Sequence, residues 1–522
     1  MDYPKDVIGT AWLAQYFAVE PIQFLPIVSY ISGSRRTQLD AQVRLEGYPE
    51  NMRPVDEPAA HLQWMLRHEV VHFELLSRVF EKSGPDFIQH WVNEVPTGSY
   101  ARRAAFLYEW LSGGELDIPT RLAGNYVDVL DSKRQLAASV EQHSRNSRWR
   151  VNDNLPGTSY FCPLVLMNQE LVKAMNLDVP TLLNQLRQAF GDELLQKSAV
   201  WLTLGESRSS FAIEGEGGQV NRIQRFADVI ERWTGQGDSP LSAESLSKLQ
   251  KEILGGTSIL KSFGLRQSPV FVGQTVNFQE VVHYIAPPVE DLNLMLDGLR
   301  IFLERTQEQS AIMRAAVSAF AFVYIHPLAD GNGRIHRFWV NDILRRDGVV
   351  PEPLILPIST VLVDDPVERK AYEQVLNVVS KPLMERVRED VHFDRSKYTV
   401  YPDGVPSNFF FSADDVARPV WRYPNLTEHV IFMAKLIQRA LTEEMEEQSK
   451  ILLRFNKASL AIKEIIEMPN QQVDRIIRSV REQRGVLSNK LAKEMPILAQ
   501  DDLWERIVIA VNEAFDDEQL EG

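Results

Sequence analysis

The stretch at residues 315–325, Ala-Ala-Val-Ser-Ala-Phe-Ala-Phe-Val-Tyr-Ile, is apolar almost all round a helix, so it has to be buried and the rest of the fold built around it. It is about half as long as the ~20 residues a bilayer span requires, which makes it a core helix. It stops at His326, because Pro327 disfavours helical geometry in the residue before it. A histidine is thereby held at the end of a rigid support. Asp330-Gly331-Asn332-Gly333 follows, one acid with two glycines, and feeds a new helix whose inward positions are Ile335, Phe338, Trp339 and Ile343.

A glycine-rich turn entering a helix amino terminus points backbone N–H groups at one spot, a cradle suited to phosphate. Arg334 and Arg337 lie three apart on that helix, on one face, where planar guanidinium forks can grip phosphate oxygens. Asp330 is a hard oxygen ligand suited to a magnesium ion that also holds nucleotide phosphates. Singly these pieces have plainer readings, a capped helix end and a tight turn. Together, within twelve residues, they describe a nucleotide site.

The segment His326-Pro327-Leu328-Ala329-Asp330-Gly331-Asn332-Gly333-Arg334-Ile335-His336-Arg337 resembles the signature of Fic-domain enzymes, His-Pro-Phe-x-Asp/Glu-Gly-Asn-Gly-Arg-x-x-Arg. Leu328 departs from it, an apolar replacement at a packing position. The resemblance implies transfer of AMP from ATP to a Ser, Thr or Tyr hydroxyl of a target protein, with self-modification. His326 would be the general base. Asp330 would bind Mg2+; Gly331, Asn332, Gly333 and Arg334 would hold the phosphates, and Arg337 the γ-phosphate. Ser210-Phe-Ala-Ile-Glu214-Gly215 in turn resembles the family's inhibitory motif, Ser/Thr-x-x-x-Glu-Gly/Asn. It implies that Glu214 pairs with Arg337 and excludes the γ-phosphate, with Ser210 in the same motif. The glycines from Gly215 to Gly218 are expected to end an inhibitory helix spanning about 195–215. Removal of AMP by the same residues is the alternative reaction within this family.

The expected fold is mainly α, a Fic-type helical core with a short β-hairpin flap, flanked by helical amino- and carboxy-terminal domains. Residues 1–190 form the first domain, 191–400 the Fic domain and 401–522 the last. Two β-prone runs between 270 and 285 read as the hairpin, whose edge could register an extended target segment by strand addition. Tyr372 falls where related enzymes place an aromatic near adenine, and it suits core packing as well. The flanking domains are candidates for target recognition or for self-association into a homodimer.

Composition narrows the rest. A chain of 522 residues, 44% hydrophobic and 24% charged, is that of a globular protein with several cores. The amino terminus lacks the basic start and apolar run of a secretory signal and no stretch is long enough to span a membrane, so a cytoplasmic protein is expected. The single cysteine, Cys162, rules out an internal disulfide and reads as a small buried hydrophobe.

Two further patterns point elsewhere. His68-Glu69-Val-Val-His72 fits the His-Glu-x-x-His pattern of zinc metalloproteases, and Leu62, Met65 and Leu66 before it with Phe73 and Leu76 after it give it a helical context, although no third ligand is recognisable. Around 470–490, Arg475, Arg478, Arg481 and Arg484 interleave with Val473, Ile476, Ile477 and Val480. That is the shape of a helix-turn-helix DNA reader, or of a solvated basic face or docking surface for an acidic region of the same chain. A net charge of −15 argues against wholesale nucleic-acid binding but leaves room for a local basic patch, and the plainer reading is favoured.

Overall fold

The computed structural model describes residues 4–40, 43–237, 241–255, 260–277, 279–394 and 396–516. The apolar run lies in the helix Ala311–Ile325, where every residue except Val323 is buried. Ser310 caps its start by accepting the Met313 N–H at 3.4 Å, and His326 ends it in the left-handed region at φ 49°. The helix Asn332–Arg346 packs against it, as do Leu292–Arg305 and Thr427–Arg439. Between the first two helices only the loop 326–331 intervenes, so burial of one helix fixes where the next begins.

The helix Asp192–Ile213 lies on the flank of this core, packed on Val220–Trp233, Ile358–Asp364 and Met445–Ile465. It ends at Glu214 because Gly215 takes φ 76°, where a residue with a Cβ is strained. The strands Phe271–Val276 and Gln279–Ile285 form an antiparallel hairpin with an irregularity between Val272 and Gly273. Gly273 is needed there, since a Cβ would lie 2.3 Å from the Val281 carbonyl.

The amino-terminal region is helical over Pro58–His68, Phe73–Ser83, Asp86–Glu94 and Ser99–Ser112, and it also holds two small sheets that helical periodicity does not announce. In the larger, Ile27–Ile31 pairs in parallel with Val43–Tyr48, flanked by antiparallel Val7–Ile8 and Arg36–Asp40. These strands are two to six residues long, shorter than the window in which a helical period shows. Leu62, Met65, Phe73, Leu76 and Trp149 belong to their own apolar cluster, as does Cys162, which is fully buried. At the other end, Ala458, Val473, Ile476, Ile477, Val480, Ile507 and Val511 form a separate small cluster.

The metalloprotease reading fails on local geometry. The helix ends at His68, Glu69 is extended at φ −113° and ψ −163°, and the next helix begins at Phe73 with His72 as its cap. The two histidines are therefore not one turn apart on a single helix. Glu69 is drawn inward by the Thr10 N–H at 2.9 Å, and burial raises its pKa; His72 Nδ1 accepts the Leu75 N–H at 3.2 Å. Among the described residues, no group of three or more His, Cys, Asp or Glu side chains is placed to hold a metal ion, and no helix is long and apolar enough to cross a membrane.

The basic helix forms as Asn470–Glu482, with Gly485 at φ 84° closing it, although the helix before it, Met445–Ile465, is longer rather than shorter. Arg475 pairs with Glu494, and Arg481 lies over the Phe515 ring at 4.4 Å. Half of the arginine stripe is thus used within its own unit.

Phe320, fully buried on the central helix, meets His336, Tyr372, His429 and Phe432. Phe320→Ala is expected to lower the stability of the full chain by about 3–5 kcal/mol, read as a shift in chemical denaturation midpoint.

Candidate active site

His326 is half-buried at the carboxyl end of its helix. Its Nδ1 lies 3.1 Å from the Val323 carbonyl. A carbonyl can only accept, so Nδ1 carries the proton and Nε2 keeps its lone pair. Burial, aided by the nearby Arg266 guanidinium and opposed by the Val323 bond, pushes the imidazole pKa down to about 4. At neutral pH the ring is uncharged, with one nitrogen able to take a proton.

The loop beyond is fixed from within. The Asn332 side chain accepts the Leu328 N–H at 3.0 Å and donates to the Leu328 carbonyl at 2.7 Å. Leu328 is fully buried, which explains why an apolar residue other than phenylalanine serves at that place. Gly331 takes φ 91°. Gln250, buried beneath, donates to the Asp330 carbonyl at 2.8 Å and accepts the Gly264 N–H at 2.7 Å. The Asp330 side chain is exposed.

Arg334 and Arg337 are both buried on the first turn and a half of the next helix. One carboxylate spans them: Glu214 Oε2 lies 2.6 Å from Arg334 Nη2, and Glu214 Oε1 2.7 Å from Arg337 Nη2. Arg337 also donates to Ser210, through Nε to the hydroxyl at 2.7 Å and through Nη2 to the carbonyl at 3.0 Å. Arg334 stacks on the Phe211 ring at 4.5 Å, and its Nε and Nη1 are buried with no hydrogen-bond partner among the described residues. Such orphaned donors are costly and mark a place where further acceptors belong. Gly333 makes the approach possible, because a Cβ there would sit 2.6 Å from Glu214 Oε1.

Tyr372, on the helix Pro366–Val387, packs at 6.2 Å from both Phe320 and Phe432, with its hydroxyl 3.5 Å from His336 Nε2. Burial raises its pKa, and the charges of Arg337 and Glu214 are close enough to bear on it.

Besides Gln250, three residues join this arrangement that motif reading passes over. Glu216 reaches Arg334 Nη2 at 2.6 Å and is itself held by Arg222 at 2.9 Å. Glu206, two turns before Glu214 on the same face, accepts the Ser359 N–H at 2.7 Å and its hydroxyl at 2.5 Å; burial pushes its pKa up to about 7 against those bonds and the Arg337 charge. Arg266, buried beside the histidine, donates to the His326 carbonyl at 2.8 Å. The spacing 206, 210, 214 was a legible signal for Glu206. Nothing local points to the other two.

Residues 240–344 match the family model described as Fic/DOC family, a segment that contains the loop and lies downstream of Glu214. Protein adenylyltransferase fic-1 of Caenorhabditis briggsae is 32% identical over 121 residues, which are 23% of this chain and 22% of that protein. Its namesake in Caenorhabditis elegans is 28% identical over 120 residues, again 23% and 22%. The matched part therefore spans about a fifth of the length of these curated relatives. A crystal structure of a Fic family protein from Desulfovibrio desulfuricans G20 is 17% identical, covers 64% of this chain and 96% of its own, and superposes with a TM-score of 0.38, too loosely to bear on the site.

The low pKa of His326 ties stability to pH. The folded value, about 4, is below the ordinary 6.5, so the unfolded chain binds more protons between the two. The stability that comes from keeping the ring neutral is present above 6.5 and lost as pH falls toward 4. His326→Gln should lose less stability than the parent across that window, read by denaturation at pH 7 and at pH 5.

Proposed function

We propose that this chain transfers AMP from ATP to a Ser, Thr or Tyr hydroxyl of target proteins, itself included, and that Glu214 holds the site closed. The observation that carries the reading is the Glu214 carboxylate bridging Arg334 and Arg337 at 2.6 and 2.7 Å beside two orphaned Arg334 donors. Two buried guanidiniums side by side require anionic oxygens. The γ-phosphate of a nucleotide meets that need as a carboxylate does, and the two compete for it.

With Glu214 withdrawn, the triphosphate lies over the backbone of Gly331, Asn332 and Gly333, its tail between Arg334 and Arg337. Asp330 stands exposed beside it, and one carboxylate with phosphate oxygens is a donor set that suits Mg2+. When bound, the ion neutralises charge on the phosphates. The half-buried Tyr372 offers the adenine the exposed part of its ring. His326 Nε2 takes the proton of the target hydroxyl, whose oxygen bonds to the α-phosphorus as the bond to the bridging oxygen breaks and pyrophosphate departs. The free edge of the 271–285 hairpin aligns the target segment by strand addition. The resemblance of the loop to the family signature, and the names of the Caenorhabditis relatives, lend this reading its chemistry.

The test is incubation with Mg2+ and ATP labelled at the α-phosphate. Wild type should label itself weakly, Glu214→Gly strongly, and Glu214→Gly with His326→Ala not at all. Equal labelling in all three would sink the mechanism, and retention of a γ-label in place of the α-label would make the enzyme a kinase. Glu216→Gln, which frees Arg334 of one of its two carboxylates, should label to a level between wild type and Glu214→Gly.

A further inference from the structure

His326 has a left-handed backbone at φ 49°, a conformation that residues with a Cβ rarely adopt. It ends a buried helix, so its carbonyl has no partner along the helix and needs a donor from elsewhere. That donor is Arg266, which is 1% exposed. Its Nε gives a hydrogen bond of 2.8 Å to the His326 carbonyl. Its Nη1 donates to the Ser268 carbonyl at 3.0 Å and its Nη2 to the Pro287 carbonyl. Its backbone N–H donates to the Pro327 carbonyl at 2.9 Å, and Leu265 and Leu328 form an antiparallel bridge beside it.

The three carbonyls come from three separate places. Ser268 leads into the strand Phe271–Val276, Pro287 follows the strand Gln279–Ile285, and His326 ends the central helix. One planar guanidinium therefore fastens both feet of the hairpin to the backbone of the histidine. We infer that Arg266 is a positioning residue, which sets the place of His326 relative to the hairpin edge where a target hydroxyl would be presented. The inference rests on the proposed transfer reaction, in which the base and the hairpin act on the same hydroxyl.

The choice of arginine follows from the geometry. Three carbonyls in fixed directions suit a rigid fork with several N–H groups, whereas an ammonium is a point donor on a flexible stem. Arg266 is a cation held by carbonyls, and burial lowers its pKa to about 10. The charged and titratable groups that face it are Tyr284, Asp403 and Glu290. Asp403 fixes the same segment from the other side, accepting the Gln267 N–H and the Ser268 hydroxyl, each at 2.8 Å. Arg266 also acts on the imidazole by charge, favouring its neutral form.

The experiment places Arg266→Lys and Arg266→Met in the Glu214→Gly full chain and follows self-labelling from α-labelled ATP with Mg2+. Failure of Glu214→Gly itself to label would count against the transfer reading, and with it this role for Arg266. Given labelling in that parent, a displaced base should slow the rate at saturating ATP in both variants by on the order of a hundredfold. KM for ATP should stay near the parent's, while the melting temperature falls, more in Arg266→Met than in Arg266→Lys, because buried carbonyls lose their donors. In Arg266→Met the acid limb of the rate profile should also move to higher pH, while Arg266→Lys, which keeps a positive charge, leaves it nearly in place. A rate within about twofold of the parent in Arg266→Lys would overturn the inference, as would a loss of rate that runs parallel to lost ATP binding, or one that disappears when both proteins are assayed well below their melting temperatures. If Arg266→Met does not fold, Arg266→Lys decides by the split between rate and KM.

Discussion

Two guanidiniums buried next to one another are tolerable only with negative charge between them, and much of the site follows from that demand. Arg334 and Arg337 have side chains 3% and 4% exposed, and Glu214 lies between them. Taking one such charge from water is costly, and two of the same sign repel as well. The interior is consistent with their presence only while an anion is supplied. Glu214 supplies it from within the chain, and a triphosphate would supply it from solution. The proposed competition for these arginines would be a consequence of burying them together.

What could be read from the amino-acid order was whatever the chemistry keeps local. The central helix, the histidine at its end, the glycine turn and the arginine pair are contiguous, so spacing alone arranges them. Glu214 was legible because its glycine cap and its spacing from Ser210 are local too. Arg266 and Gln250 were not, because each finds its partner only when the helix Ala243–Leu254 or the 260s segment meets the loop sixty to eighty residues onward. Glu216 looked like one more polar residue among glycines until the fold brought Arg334 to it.

The His-Glu-x-x-His pattern failed for a related reason. Neither glycine nor proline marks the break after His68; the helix stops because Glu69 turns its carboxylate to Thr10 and His72 caps the following helix. A tertiary contact overrode a local preference, and no window of sequence shows that contact. The short amino-terminal strands escaped in the same way, since each becomes a strand by pairing with a partner elsewhere in the chain.

The helix that carries Glu214 is held unequally along its length, and this bears on how an anion from solution could displace the carboxylate. Glu206 is fully inside, bonded twice to Ser359, and Ser210 is bonded twice to Arg337. Glu214 is the cap itself, beyond the last helical residue, its side chain 25% exposed. Its backbone N–H is shared between the Phe211 carbonyl at 3.2 Å and the Ala212 carbonyl, and Gly215 already supplies a flexible joint. Withdrawing the carboxylate, as the proposed exchange demands, would involve the cap and its side chain, while Glu206 would keep the helix anchored. A restraint built on a cap can be firm in its two ion pairs and still yield without unfolding the helix that bears it.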